Sequence, residues 1–432
     1  MAVRVLLMLT AFAVVYGCGQ ASSPPERQEK QVGVEEAKPK ELKEPDATPA
    51  TSTFTPLETG TNVRAFGATG NGTSNDTAAF ERAMAEAARV GGVIYVPAPG
   101  NYRIANVKPP SNTHLEVQAG ASLKKYSSAN GPLFNVQGPN DTTFANNIHI
   151  EGVGGTFTMD LNDAGQETAG IRYRNVRNFS LRNMLCIQNN DNPRQEAPTS
   201  RRPCLAFLPT TMTLTNGVYN HPIDGEFSNV HSKKSPYGWG LTQLTGGENL
   251  RFFDISSEGG VPLRLESYRD NWTPIDNIVA DGVRCTNGHD AVQMNPHGAT
   301  HGTVTIQNVV ADSCESALSL KQDSALGGSF ASDSSIGGVT VIPGNQAQLR
   351  DDATTGDVGA WVIGPSRWCI DNEDPLGYTI GLSNVDCGGL SNSASPKRLQ
   401  RFLDCLLSRL GWLGTGLPNA PRARCRSTRR WR

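Results

Sequence analysis

The sequence predicts an all-β fold, a right-handed parallel β-helix (a solenoid of strands) with an N-terminal capping helix. Three observations predict it. Short segments recur with one grammar, apolar–polar alternation, then Asn or Asp, then a small apolar residue: NFSLRNM, EFSNVHS, LRFFDIS, IVADGVR, TVTIQNV and TIGLSNV. The markers Asn229, Asp254, Asp281 and Asn308 follow one another at intervals of 25, 27 and 27 residues, and Asn183 and Asn384 fit the same phrase further out. A period of that length, with no helical periodicity inside it, marks stacked strands. Finally, 45 glycines, 27 prolines and 37% hydrophobic residues in 432 suit one long all-β domain rich in turns. A β-sandwich would need hairpin turns every ~8–12 residues, and the regular interval favours the solenoid.

The elements follow in order. The opening MAVRVLLMLTAFAVVYGCGQASS carries one arginine before an apolar run from Val5 to Tyr16. That run is too short to span a bilayer and reads as an export signal. Val15-Tyr16-Gly17-Cys18 resembles a bacterial lipoprotein cleavage box, which makes residues 1–18 the signal peptide and Cys18 the lipidated first residue of the mature chain. An ordinary secretory signal is the alternative; both take the protein out of the cytoplasm, to the cell envelope or beyond it. Residues 19–60, rich in Pro, Glu, Lys, Ser and Thr, form a disordered linker with little to bury. Residues 61–390 are the β-helix, and 391–432 an atypical basic C-terminal tail. From Lys397 onward ten Lys/Arg face one acid, so with a net charge of −2 overall the remainder carries −11. So acidic a body argues against a nucleic-acid partner. The tail segment LQRFLDCLLSRLGWL reads either as an amphipathic helix or as sequence out of frame with the domain. A monomer is expected.

The folded part opens with a helix capped by Asn75 or Asp76, with Phe80, Ala83, Met84 and Ala87 on its apolar face and Gly91-Gly92 at its end. A strand, Val93–Val96, follows. With Cys18 set aside, eight cysteines remain in a compartment that permits disulfides. Cys285 and Cys314, in consecutive coils, are the leading pair, and Cys369 with Cys387 is a second.

Residues at equivalent places in successive coils stack about 4.8 Å apart. Leu265 and Val292 each lie eleven residues after a marker and point inward, which turns Glu266 and Gln293 outward at one level. The stretch ALSLK adds Ser319 and Lys321, and YGWGLTQL brings Gln243 to the same neighbourhood. Arg264, Glu266, Gln243, Gln293, His297 and Lys321 are therefore predicted to line one groove. The plainer reading is a solvated polar face on which Arg264 and Glu266 merely pair along a strand.

The helix and first strand resemble the start of pectin-lyase-like β-helices. The stretches YGWGLTQLTGGENLRFFDISSEGGVPLRLES and NIVADGVRCTNGHDAVQMNPHGATHGTVTIQNVVADSCESAL resemble the central coils of the iota-carrageenases, glycoside hydrolase family 82. Gly-Leu-x-Gln, Glu-Gly-Gly, Leu-Arg-x-Glu and Pro-His occur together and in order, closely over 237–320 and loosely over 62–120. The resemblance implies inverting hydrolysis of β-1,4 bonds in a sulfated galactan, with Glu266 as proton donor and Gln243 and His297 as supporting groups. It implies no required cofactor, and members of the family are known with bound ions. Where the family places an aspartate as base, two residues after the glutamate, this chain has Tyr268.

An inverting pair needs carboxyl groups ~6.5–9.5 Å apart, with a water between them. Asp270, brought back by a turn beginning at Ser267, is the expected base, with Asp290 and Glu258 as weaker candidates. Glu266 must stay protonated to act as the acid, which partial burial favours and Arg264 opposes. Arg264, with Gln293 and Lys321, is expected to bind substrate, its planar donors suited to a sulfate. No Walker loop, zinc-ligand spacing or Gly-x-Ser-x-Gly elbow stands out. Two rival functions stay open: another pectin-lyase-fold glycosidase or lyase acting on a uronate-rich glycan, and a catalytically silent glycan-binding lipoprotein.

Overall fold

The computed structural model describes residues 60–126, 131–161, 169–188, 203–211, 219–267, 273–322, 326–350, 361–372, 376 and 378–393. The signal peptide, nearly all of the linker and tail, Cys18 and Asp270 lie outside the described residues. The chain winds as a right-handed parallel β-helix, and the described pairings between successive coils are parallel. One antiparallel pair, Ala347–Arg350 with Trp361–Gly364, stands apart from the solenoid.

The strands form three faces. One holds residues 134–136, 171–173, 205–207, 242–244, 263–266, 292–294, 318–320 and 370–372 in register. A second runs through Thr113–Gln118, Ala145–Val153 and the first halves of Val176–Ile187, Ile223–Leu244 and Gly247–Glu266. The third follows the bend after it.

Those bends explain the sequence grammar. Asn183, Asn229, Asp254, Asn308 and Asn384 all adopt left-handed backbone, with φ between 51° and 56°, a conformation Asn and Asp tolerate better than other side chains. Their amides tie coil to coil: Asn229 Nδ2 donates to Asn183 Oδ1 at 2.8 Å and Asn308 Nδ2 to Asp281 Oδ1 at 2.7 Å. One marker is misplaced. The left-handed residue in its coil is Gly282, φ 76°, not Asp281, so the coil lengths vary more than the sequence intervals suggested.

Inside, alternate residues pack in stacks. Tyr173 stacks on Phe207 with ring centroids 5.1 Å apart, and Phe227 stacks on Phe252 at 4.9 Å. The helix Thr77–Val90 buries Ala79, Phe80, Ala83, Met84 and Ala87 at the first coil, Phe80 edge-on to Tyr102. The two capping candidates divide the work: Asp76 holds the cap position, while Asn75 Oδ1 accepts from the Thr77 N–H at 3.0 Å. The Asp76 carboxylate turns away to accept from the Thr69 N–H at 2.7 Å, fastening the entering loop. The following strand is Ile94–Val96. Cys285–Cys314 and Cys369–Cys387 are bridged as expected, and Cys186–Cys204 forms a third disulfide.

Candidate active site

The first face carries an outward row that crosses four coils. Gln243 stands opposite Arg264, Arg264 opposite Gln293, and Gln293 opposite Ser319. One step further along the strands, Glu266 stands opposite Asn295. Lys321 follows Leu320, the partner of Met294, and its N–H donates to the Met294 carbonyl at 2.9 Å. Leu265 and Val292 point inward as predicted, since alternation preserves the direction of side chains. Their level does not follow: Leu263, not Leu265, pairs with Val292, and Gln293 therefore lies level with Arg264 and not with Glu266. The misplaced marker accounts for one residue of this slip and a longer connection for the other.

Glu266 lies recessed, its side chain 14% exposed beside Arg264 at 15%. Arg264 Nη2 pairs with Glu266 Oε2. Asn295 Nδ2 donates to Glu266 Oε1 at 3.2 Å, and His297 Nε2 lies 3.4 Å from the same oxygen. His297 reaches it from left-handed backbone, φ 47°, in the Asn-Pro-His turn. Burial alone would raise the Glu266 carboxyl, but Arg264, with His297 and Lys321, outweighs it and holds the group at about 2. The carboxylate is ionised in the free groove.

Two members of this cluster escaped the sequence reading. Asn295 sits in the motif that gave His297, and only the register shows it opposite Glu266. Trp239 lies 4.8 Å under the Arg264 guanidinium, a cation–π contact, while Arg264 Nη1 donates to the Gly238 carbonyl. The signal available was an aromatic residue flanked by glycines in YGWG. Glycine is required there because backbone meets backbone: a Cβ on Gly260 would lie 1.5 Å from the Trp239 carbonyl, and one on Gly240 would lie 2.3 Å from that of Val261. The Glu-Gly-Gly element thus lets the tryptophan-bearing segment lie against the strand that carries Arg264 and Glu266. A later residue fastens both: Gln348 Oε1 accepts from the Gly260 N–H at 2.8 Å, and Gln348 Nε2 donates to the Ser235 carbonyl at 2.9 Å.

The weaker base candidates do not meet Glu266. Asp290 is 1% exposed, accepts a hydrogen bond from Ser316 Oγ at 2.6 Å, and is closed to solvent. It lies two residues before Val292, the partner of Leu263, hence about five strand positions or ~16 Å from Glu266. Burial pushes its carboxyl upward. Glu258 is paired with Thr286, on another face. Asp270, the leading candidate, falls in the segment outside the described residues.

Among the described residues, buried His297 Nδ1, Arg264 Nε and Trp239 Nε1 have no hydrogen-bond partner, and the last two are donors by chemistry. What the arrangement provides is a carboxylate held by cations, in a polar row, on the outer wall of the solenoid.

The chain resembles several known proteins in sequence and in fold. Residues 60–202 match the family model "Rhamnogalacturonase A/epimerase, pectate lyase-like". An iota-carrageenase of Alteromonas macleodii is 29% identical over 270 residues, covering 59% of this chain and 50% of that protein. An iota-carrageenase of Zobellia galactanivorans is 28% identical over 290 residues, covering 62% and 55%. The chain spans about half the length of the curated relatives it matches. The crystal structure of a family 82 iota-carrageenase from A. fortis superposes with a TM-score of 0.66 at 22% identity, covering 78% of this chain and 87% of that one. The resemblance carried by the Leu-Arg-x-Glu and Pro-His stretches is borne out: the chain is related to the iota-carrageenases and shares their fold.

Proposed function

We propose that the protein is an exported glycoside hydrolase that cleaves β-1,4 linkages of a sulfated galactan of the iota-carrageenan kind, with inversion. One observation carries the reading: Glu266, Arg264, Asn295 and His297 meet on one outer row of a β-helix, in a chain similar to two iota-carrageenases. Glu266 is the proton donor to the leaving oxygen. Asp270 is the base that activates water, standing in for the acid that Tyr268 displaces. Gln243 and His297 support the reaction centre, and Arg264, Gln293 and Lys321 bind the sugar chain.

The ionised state of Glu266 adds a condition. A donor held at about 2 carries no proton near neutrality. A substrate sulfate that draws the Arg264 guanidinium toward itself removes the largest attraction on the carboxylate and lets burial raise it toward the range of a working acid. Trp239 supports the guanidinium on its far face while it changes partners. Substrate binding then arms the acid.

Disulfides between coils accord with export, and lipidation at Cys18 belongs to the same proposal. Release of reducing ends from iota-, kappa- and lambda-carrageenan and from polygalacturonate, by wild type, Glu266→Gln and Asp270→Asn, tests it. The expected result is cleavage of a carrageenan, lost in both variants. Cleavage of polygalacturonate alone, or full turnover by Glu266→Gln, overturns it; binding of carrageenan without cleavage favours a silent glycan-binding protein.

A further inference from the structure

The second face carries a duplicated motif that the groove does not use. His114-Leu115-Glu116 and His149-Ile150-Glu151 lie on neighbouring strands in exact register, His114 beside His149 and Glu116 beside Glu151. Alternation turns all four polar side chains outward, while Leu115 and Ile150 are buried in the core. The four residues thus occupy the corners of a rectangle, ~4.8 Å across strands and ~6.6 Å along them.

From this geometry we infer a binding site for a divalent transition-metal ion, held by His114, Glu116 and Glu151 with His149 as a fourth ligand. One ligand atom from each of His114, Glu116 and Glu151 lies within 4.8 Å of the other two. His114 Nε2 and Glu151 Oε1 are 2.6 Å apart, a contact that a bound ion would widen. An ion with ligands at ~2.0–2.2 Å sets their atoms about 3.4 Å apart, so adjustments of roughly an ångström at half-buried side chains bring His114, Glu116 and Glu151 to it, and His149, whose ring lies 6.2 Å from that of His114, joins them by turning about its side-chain torsions. The donor set, imidazole nitrogen with carboxylate oxygen, suits zinc and its neighbours over calcium or magnesium.

The surroundings prepare the ligands. His149 Nδ1 is engaged by Ser180 Oγ at 2.9 Å, which leaves Nε2 as the coordinating atom, and its ring lies edge-on to that of His114 at 6.2 Å. A partner on the second nitrogen is the usual means of orienting a ligating histidine. Arg182, next along the ladder from Glu151, is directed to Glu226 at 2.6 Å, and it adds to the His114 contact in keeping Glu151 ionised, the form that binds a metal ion. The motif escapes any linear ligand pattern because its halves are one whole coil apart in sequence, and only the stacking brings them together. A metal ion here would clamp the strands Thr113–Gln118 and Ala145–Val153, remote in sequence and adjacent in the sheet.

The test uses the full chain, prepared without a polyhistidine tag and stripped with EDTA. Zinc chloride is titrated calorimetrically, and cobalt chloride is followed by its visible d–d bands. The expected result is one equivalent bound, with affinity reduced at least about tenfold in His114→Ala/Glu151→Gln and in His149→Ala. His231→Ala, on the third face, should bind as wild type does. Glu116→Gln, which keeps its shape, carries the same expectation should the double variant fail to fold. Absence of saturable one-to-one binding by wild type, or unchanged affinity in folded ligand variants, overturns the inference. Neither outcome depends on carrageenan cleavage, so this site and the groove stand or fall separately.

Discussion

Two arginine–carboxylate pairs on different faces of the solenoid show how the same chemistry acquires different weight. Arg182 and Glu226 bridge neighbouring coils at 2.6 Å with side chains 46% and 42% exposed. Arg264 and Glu266 sit two residues apart on one strand, 15% and 14% exposed, with Trp239, Asn295 and His297 around them. Water screens the first pair and leaves it worth about 0–1 kcal/mol. The second is desolvated and surrounded, and its field moves the carboxyl to about 2. The backbone ladder is the same in both places. What differs is the recess made by the glycine-mediated approach of residues 238–240 to 259–261, which excludes solvent from one pair and not from the other.

Perturbing each pair sharpens the contrast. Glu266→Gln should lower kcat on the susceptible carrageenan by on the order of 10³-fold, whereas Arg182→Gln should leave it within about twofold; reducing-end assays measure both. Arg264→Gln breaks the recessed pair and should cost up to about 3 kcal/mol in urea unfolding, while raising the Glu266 carboxyl from about 2, which carboxylate-detected NMR titration reads directly. If that carboxyl stays near its wild-type value, Arg264 is not what holds it.

The dependence on pH has a definite sign. Glu266 is lowered from 4.5 in the folded state, so its contribution to stability is fully present above about pH 4.5 and disappears as pH falls toward 2. The stability difference between wild type and Glu266→Gln should shrink over that window and be flat above it, as followed by denaturant midpoints. Smallest of all, a double-mutant cycle on Arg182 and Glu226 should return no more than about 1 kcal/mol. A larger coupling would mean that the second face is less open than its exposure implies.

The sequence made the fold legible because the features that build it are local. Asn and Asp at left-handed bends, alternation along strands and a helix closed by Gly91 are all written within a few residues of where they act. The inward direction of Leu265 and the outward direction of Glu266 follow from parity alone. Register does not, because the level of a residue in one coil depends on the length of every connection before it. Hence Gly282 makes the bend that the sequence interval assigns to Asp281, Gln293 lies level with Arg264 and not with Glu266, and Asn295 faces Glu266 with no local sign of it. Trp239 and the Cys186–Cys204 bridge were hidden for the same reason. The resemblance to iota-carrageenases supplied the weight on Glu266 that residue patterns alone left divided with an ordinary ion pair. Asp270, beyond the strand end, follows neither parity nor register.

The side chain of Gln348 holds the Gly260 amide and the Ser235 carbonyl at once, although it follows them by 88 and 113 residues. Earlier coils can stack as each leaves the ribosome, every turn templating the next. The wall that carries Glu266 gains this fastener only once Gln348 itself has been synthesised. A nascent chain halted before this glutamine would have Glu266 and Trp239 but not the tie between the two segments that bear them, so that the recess is finished after the strands that line it.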